Sequence, residues 1–87
     1  METRIALVGI IVEDTSAAAE ANEILHQFGR FIVGRMGVPY RDKGICIISV
    51  IIDAPQQEIS AMSGRLGKLP GISVKTLYSK AGQAHGQ

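Results

Sequence analysis

The chain has 87 residues, 46% of them hydrophobic, and a formal net charge of +1 from nine basic and eight acidic side chains. A chain of this length makes one domain, and a lone copy would bury only about 60–65% of its unfolded surface, which makes it marginally stable. The balanced charge leaves no electrostatic footprint for direct nucleic-acid binding, and the longest apolar run, Ile5 to Val12, is too short to cross a bilayer.

A single cysteine, Cys46, excludes an internal disulfide and makes a reducing, cytoplasmic setting the expectation. The apolar run near the N-terminus has only Arg4 as a basic flank and no small-residue cleavage site after it, so it does not read as a secretion signal.

The first strand is expected over Arg4 to Val12, and it is apolar on both alternating faces. Gly9 within it suggests close approach of another group. Glu13-Asp14-Thr15-Ser16 ends the strand, and Asp14 is the favoured cap for the next helix because its charge suits a helix N-terminus. The first helix is expected from about Ser16 to Phe28, with Ala17, Ala21, Ile24, Leu25 and Phe28 forming one apolar stripe and Gly29 stopping it.

The second strand is expected over Arg30 to Val38, with Phe31 and Val33 on one face and Ile32, Gly34, Met36 and Val38 on the other. Pro39 to Gly44 reads as a projecting turn. The third strand, Ile45 to Ile52, is again apolar on both faces, with Ser49 as its one polar residue. Asp53-Ala54-Pro55 leads into a second helix that runs to about Leu66, with Pro55 in its first turn and Ile59, Met62 and Leu66 inward. Gly64 inside that helix suggests a close backbone approach, and Gly67 a cap. The last strand, Ile72 to Tyr78, alternates as an edge strand with one wet face does.

The order is βαββαβ, an α+β ferredoxin-like sandwich with a four-stranded antiparallel sheet and two helices on one face. Right-handed crossovers put the first and third strands in the middle, and these are the two strands apolar on both sides. Two helices roof one face only. The other face needs a partner, so a homodimer or homotetramer joined through sheet faces or edges is expected. Residues 1–80 form the single domain, and 81–87 read as a disordered polar tail.

Two segments carry a family likeness. Val33-Gly34-Arg35-Met36-Gly37-Val38-Pro39-Tyr40-Arg41 and Ser63-Gly64-Arg65-Leu66-Gly67-Lys68-Leu69-Pro70-Gly71-Ile72-Ser73-Val74-Lys75-Thr76 resemble two signatures of the iron-only hydrogenase system regulators, and Glu23-Ile24-Leu25-His26 also fits. The resemblance spans roughly residues 4 to 80. It implies a small ACT-like protein, akin to the ligand-binding domain of nickel-responsive regulators, that acts as a regulator. It assigns no ligand or catalytic residue to particular positions. The six expected elements use the whole length and leave no room for a DNA-reading helix pair, so regulation would pass through a small-molecule effector or a regulatory protein partner.

Candidate site residues follow from chemistry. Arg35, Tyr40 and Arg41, with Asp42 and Lys43 beside them, could gather a carboxylate or phosphate, since guanidinium forks suit paired oxygens. The alternative is a solvated hairpin tip or a subunit contact. Gly64 and Lys68, with Gly67 and Gly71, could form a backbone anion site, although a helix C-terminus disfavours anions. Asp14 and Thr15 occupy the position where ACT-like domains bind amino acids, and they serve equally as ordinary capping residues. His26 and Cys46 are weak metal candidates, because a site needs three or four matched ligands. No catalytic residue and no cofactor are expected. An enzyme of the dimeric α/β-barrel kind would need polar groups between facing sheets, and Ser49 is the one candidate.

Overall fold

The structure, a computed structural model, describes residues 2–80. Four strands, β1 (Arg4–Val12), β2 (Ile32–Tyr40), β3 (Ile45–Ala54) and β4 (Ile72–Tyr78), form one antiparallel sheet in the order β2-β3-β1-β4. Two helices, α1 (Ala18–Gln27) and α2 (Gln56–Gly67), pack on one face. The expected tail, 81–87, lies outside the described residues.

The core is the layer between helices and sheet. Val8, Ile10 and Val12 of β1 and Ile48, Val50 and Ile52 of β3 alternate inward and meet Ala21, Ile24 and Leu25 of α1 and Ile59, Met62 and Leu66 of α2. No polar or charged side chain is buried among the described residues. The core is therefore held by area and packing alone, without a buried polar network to fix its register.

Several local expectations are corrected. Asp14 caps as expected, accepting from the Ser16 backbone N–H, but the turn it caps is a 3-10 turn, Thr15–Ala17, that leads into α1. Gly29 lies in a further 3-10 turn, Gly29–Phe31, so β2 starts at Ile32 and runs on through Pro39 and Tyr40. Proline is tolerated there because β2 is an edge strand, with an N–H side that needs no partner. A register irregularity between Ile32 and Gly34 separates Ile32, on the helix side, from Gly34, Met36 and Val38, which share the other face as expected. Phe31 and Ile32 both pack against the core, whereas Val33 is exposed. An extra residue in a ladder shifts every later side chain to the opposite face.

The glycines also differ from expectation. A Cβ at Gly64 would meet no atom within 4 Å, and one at Gly9 would make only ordinary contact with the Lys75 carbonyl at 3.9 Å. Neither is required by a close approach. Gly67 is the last residue of α2, Lys68 caps it in right-handed geometry, and Pro55 precedes the first turn rather than joining it. The glycine the turn demands is Gly71, at φ +73°, where a Cβ would fall on Asp14 and lie 3.0 Å from the Asp14 nitrogen. The Gly71 carbonyl accepts from the Glu13 N–H at 2.7 Å, so the loop after β1 and the loop before β4 are locked together.

Candidate functional site

The face of the sheet away from the helices is apolar and uncovered. Leu7 is 43% exposed and Ile51 45%, while Val8 and Val50 beside them are fully buried on the other side. Register places these residues in rows across the strands. One row is Ser73, Ile11, Ile47 and Val38; another is Leu77, Leu7, Ile51 and Gly34. Between them runs Lys75, Gly9, Ser49 and Met36. Ile5 extends the apolar area at one end, and Tyr40 beside Ile45 at the other. Two aliphatic ridges thus flank a trough floored by Gly9 and Ser49. A hollow of about 300 Å³ opens where Gly34, Met36, Ser49 and Ile51 meet, and another of about 190 Å³ lies between Ile5, Leu7, Ile51 and Leu77.

The residues picked out from sequence fall in separate places. Arg35 pairs with Val50 and sits on the helix side, where its guanidinium donates to the Asn22 side-chain oxygen. Tyr40 pairs with Ile45 on the bare face. Tyr40 is five steps along the strand from Arg35, about 17 Å at strand rise. Arg41, Asp42 and Lys43 form the 3-10 tip of the hairpin, closed by a hydrogen bond from the Gly44 N–H to the Arg41 carbonyl at 3.1 Å. The structure does not bring Arg35, Tyr40 and Arg41 into one cluster, because the alternation of the strand and its length divide them.

Asp14 accepts from the Ser16 hydroxyl at 2.6 Å and from the Ser16 N–H at 3.0 Å. These two bonds, the hydroxyl first, hold its carboxyl below the usual carboxylate range. Thr15 is exposed at the start of the same turn. Gly64 and Lys68 are exposed along α2 and at its C-terminal cap. His26 is exposed on α1, and Cys46 is half-buried on β3 against the core. Among the described residues no three of His, Cys, Asp and Glu are grouped so as to hold a metal ion.

One arrangement was not legible in the sequence. At the end of the sheet the Arg4 guanidinium lies over the Tyr78 ring, 4.1 Å from its centroid, and donates to Gln56 Oε1 at 2.6 Å. Gln56 Nε2 donates to the Tyr78 hydroxyl at 2.7 Å and to the Ser60 hydroxyl at 3.0 Å. This brace ties β1, β4 and the first turn of α2. Its members are scattered along the chain, so no motif announces it.

The family model described as "TM1266-like: Iron-only hydrogenase system regulator, putative" matches residues 4–76. Among solved structures, the chain is similar to the TM1266 protein of Thermotoga maritima, with a TM-score of 0.87, 35% identity, and coverage of 91% of this chain and 100% of that one. It is also similar to the C-terminal domain of the MgtC protein from Mycobacterium tuberculosis, with a TM-score of 0.68, 13% identity and 93% coverage of each chain. A third similarity is to the ACT domain from GTP pyrophosphokinase of Chlorobium tepidum, with a TM-score of 0.64, 20% identity, and coverage of 88% and 89%. The last two share the fold. No curated protein matches the sequence. No helix among the described residues is long and apolar enough to cross a membrane.

Proposed function

The chain belongs to the TM1266-like family of iron-only hydrogenase system regulators, and from that premise we propose that it is a regulatory binding module working as a homo-oligomer whose copies cover one another's bare sheet face. The observation that carries this reading is the continuous apolar surface formed by Ile5, Leu7, Ile11, Met36, Val38, Tyr40, Ile47, Ile51 and Leu77. These side chains present on the order of 800 Å², about what one partner contributes to a standard interface and more than the patch a monomer ordinarily leaves in water. The occupant that fits is a second copy. The centre of the face carries Ser49 and, at one edge, Lys75, so no charge pattern there selects a different protein.

The module binds a small effector or a regulatory protein near the subunit interfaces. The two helices are committed to the core, which supports action on transcription through a partner rather than by entering a DNA groove. A binding role is favoured over catalysis because the centre of the face offers one hydroxyl and neither a carboxylate nor an imidazole. Sedimentation velocity over a concentration series tests the assembly: wild type forms dimers or tetramers, and Ile47→Lys gives monomers or aggregates. A wild type that stays monomeric at high micromolar concentration refutes the reading. Native mass spectrometry of freshly purified protein tests the effector, which is retained at a fixed ratio to the chain.

A further inference from the structure

The centre of the bare face is the place where its side chains are smallest. Gly9 and Ser49 are paired there, flanked by Ile11 and Ile47 on one side and by Leu7 and Ile51 on the other. In a two-fold, isologous interface the residues near the axis meet their own copies. An axis through the middle of this patch therefore sets Gly9 and Ser49 against the Gly9 and Ser49 of the second copy. Packed sheets stand about 10 Å apart, and a glycine facing a serine or another glycine does not fill that distance. Facing aliphatic ridges close on either side while the two troughs leave a space between them. The trough ends at Met36 on β2 and at Lys75 on β4.

We infer that the interface between two copies encloses a binding cavity along the row Lys75, Gly9, Ser49 and Met36, and that it takes a small carboxylate with an unbranched apolar chain. The inference rests on the face-to-face homo-oligomer proposed above. The chain of the ligand lies on the trough between Ile47 and Ile51, where the hollow of about 300 Å³ at Gly34, Met36, Ser49 and Ile51 already opens in one copy. Its carboxylate reaches the Lys75 ammonium at the rim, a compact charge on a flexible stem suited to a ligand that enters from the edge. The Ser49 hydroxyls supply the few polar contacts that orient a ligand in an otherwise apolar pocket. A single copy holds half of this site.

The test uses the full chain with hexanoate and hexan-1-ol as probes, followed by titration calorimetry, with the assembly state measured in parallel by sedimentation. Wild type binds hexanoate saturably as a dimer or larger assembly. Ser49→Phe fills the space, so it keeps the assembly and weakens hexanoate by at least tenfold. Lys75→Met also keeps the assembly, weakens hexanoate by at least tenfold and leaves hexan-1-ol within about twofold. An assembled wild type that binds neither probe overturns the cavity while leaving the oligomer standing. Dissociation caused by Ser49→Phe overturns it as well, since the trough would then be filled by the partner's side chains. A monomeric wild type removes the oligomer reading and the cavity with it.

Discussion

Ile51 borders both hollows on the bare face and pairs with Leu7 and Gly34, so its replacement by lysine probes the interface near its middle. It is 45% exposed in a single copy, which leaves on the order of 80 Å² for a partner to cover, worth about 2 kcal/mol at 25 cal/mol/Å². A two-fold interface contains the residue twice, so the loss is about 4 kcal/mol, or roughly a thousandfold in the dimer dissociation constant. The ammonium adds a desolvation cost wherever its stem cannot carry it to the rim. The fold of the single copy should hardly notice, since a substitution on an uncovered surface changes stability by about 0.5 kcal/mol or less. Sedimentation equilibrium of Ile51→Lys beside wild type, with circular dichroism on the same samples, separates the two effects. The expected result is a folded chain that no longer associates at concentrations where wild type does. Unchanged association would refute the reasoning. The neighbouring Val50→Lys, at a fully buried position on the helix side, should instead unfold the chain.

Two glycines should respond with opposite signs in urea denaturation. Gly71→Ala loses roughly 1–2 kcal/mol from left-handed backbone strain alone, and more from the collision with Asp14; Gly64→Ala gains about 0.5–1 kcal/mol, because a methyl group there meets nothing and the helix backbone favours alanine. The depressed Asp14 carboxyl stabilises the fold above its ordinary value of 3.8, and that contribution is lost as pH falls from there through the lower folded-state value. Thermal melts of Asp14→Asn, which keeps the cap but not the charge, should therefore show a weaker loss of stability across that acid window than wild type. Arg35→Ala combined with Arg41→Ala should leave the melting temperature within a few degrees of wild type, since the one bond at stake is exposed; a larger drop would make those arginines structural.

The candidate site was half legible. That Ile5, Leu7, Ile11, Ile47 and Ile51 form an apolar face opposite the helices was readable from strands apolar on both faces, because strand alternation is a local property with a period of two. The pairing that makes Gly9 and Ser49 the floor of a trough, with Lys75 and Met36 at its ends, depends on register between strands far apart in sequence. Arg35 and Tyr40 looked like neighbours because both belong to one short signature. In a strand, nearness in sequence puts an odd-numbered separation on opposite faces.

What the sequence alone determined is the order βαββαβ, the two central strands, the inward stripe of each helix and the missing roof, all of which follow from hydrophobic periodicity and chain handedness. What only the tertiary structure decided is how segments meet. The irregularity between Ile32 and Gly34 re-aims β2, the Asp14 backbone presses on Gly71, and Arg4, Gln56 and Tyr78 converge at the end of the sheet. Each of these is a contact between residues with no periodic relation to one another, so its energy is expressed only once the sheet has set their distance.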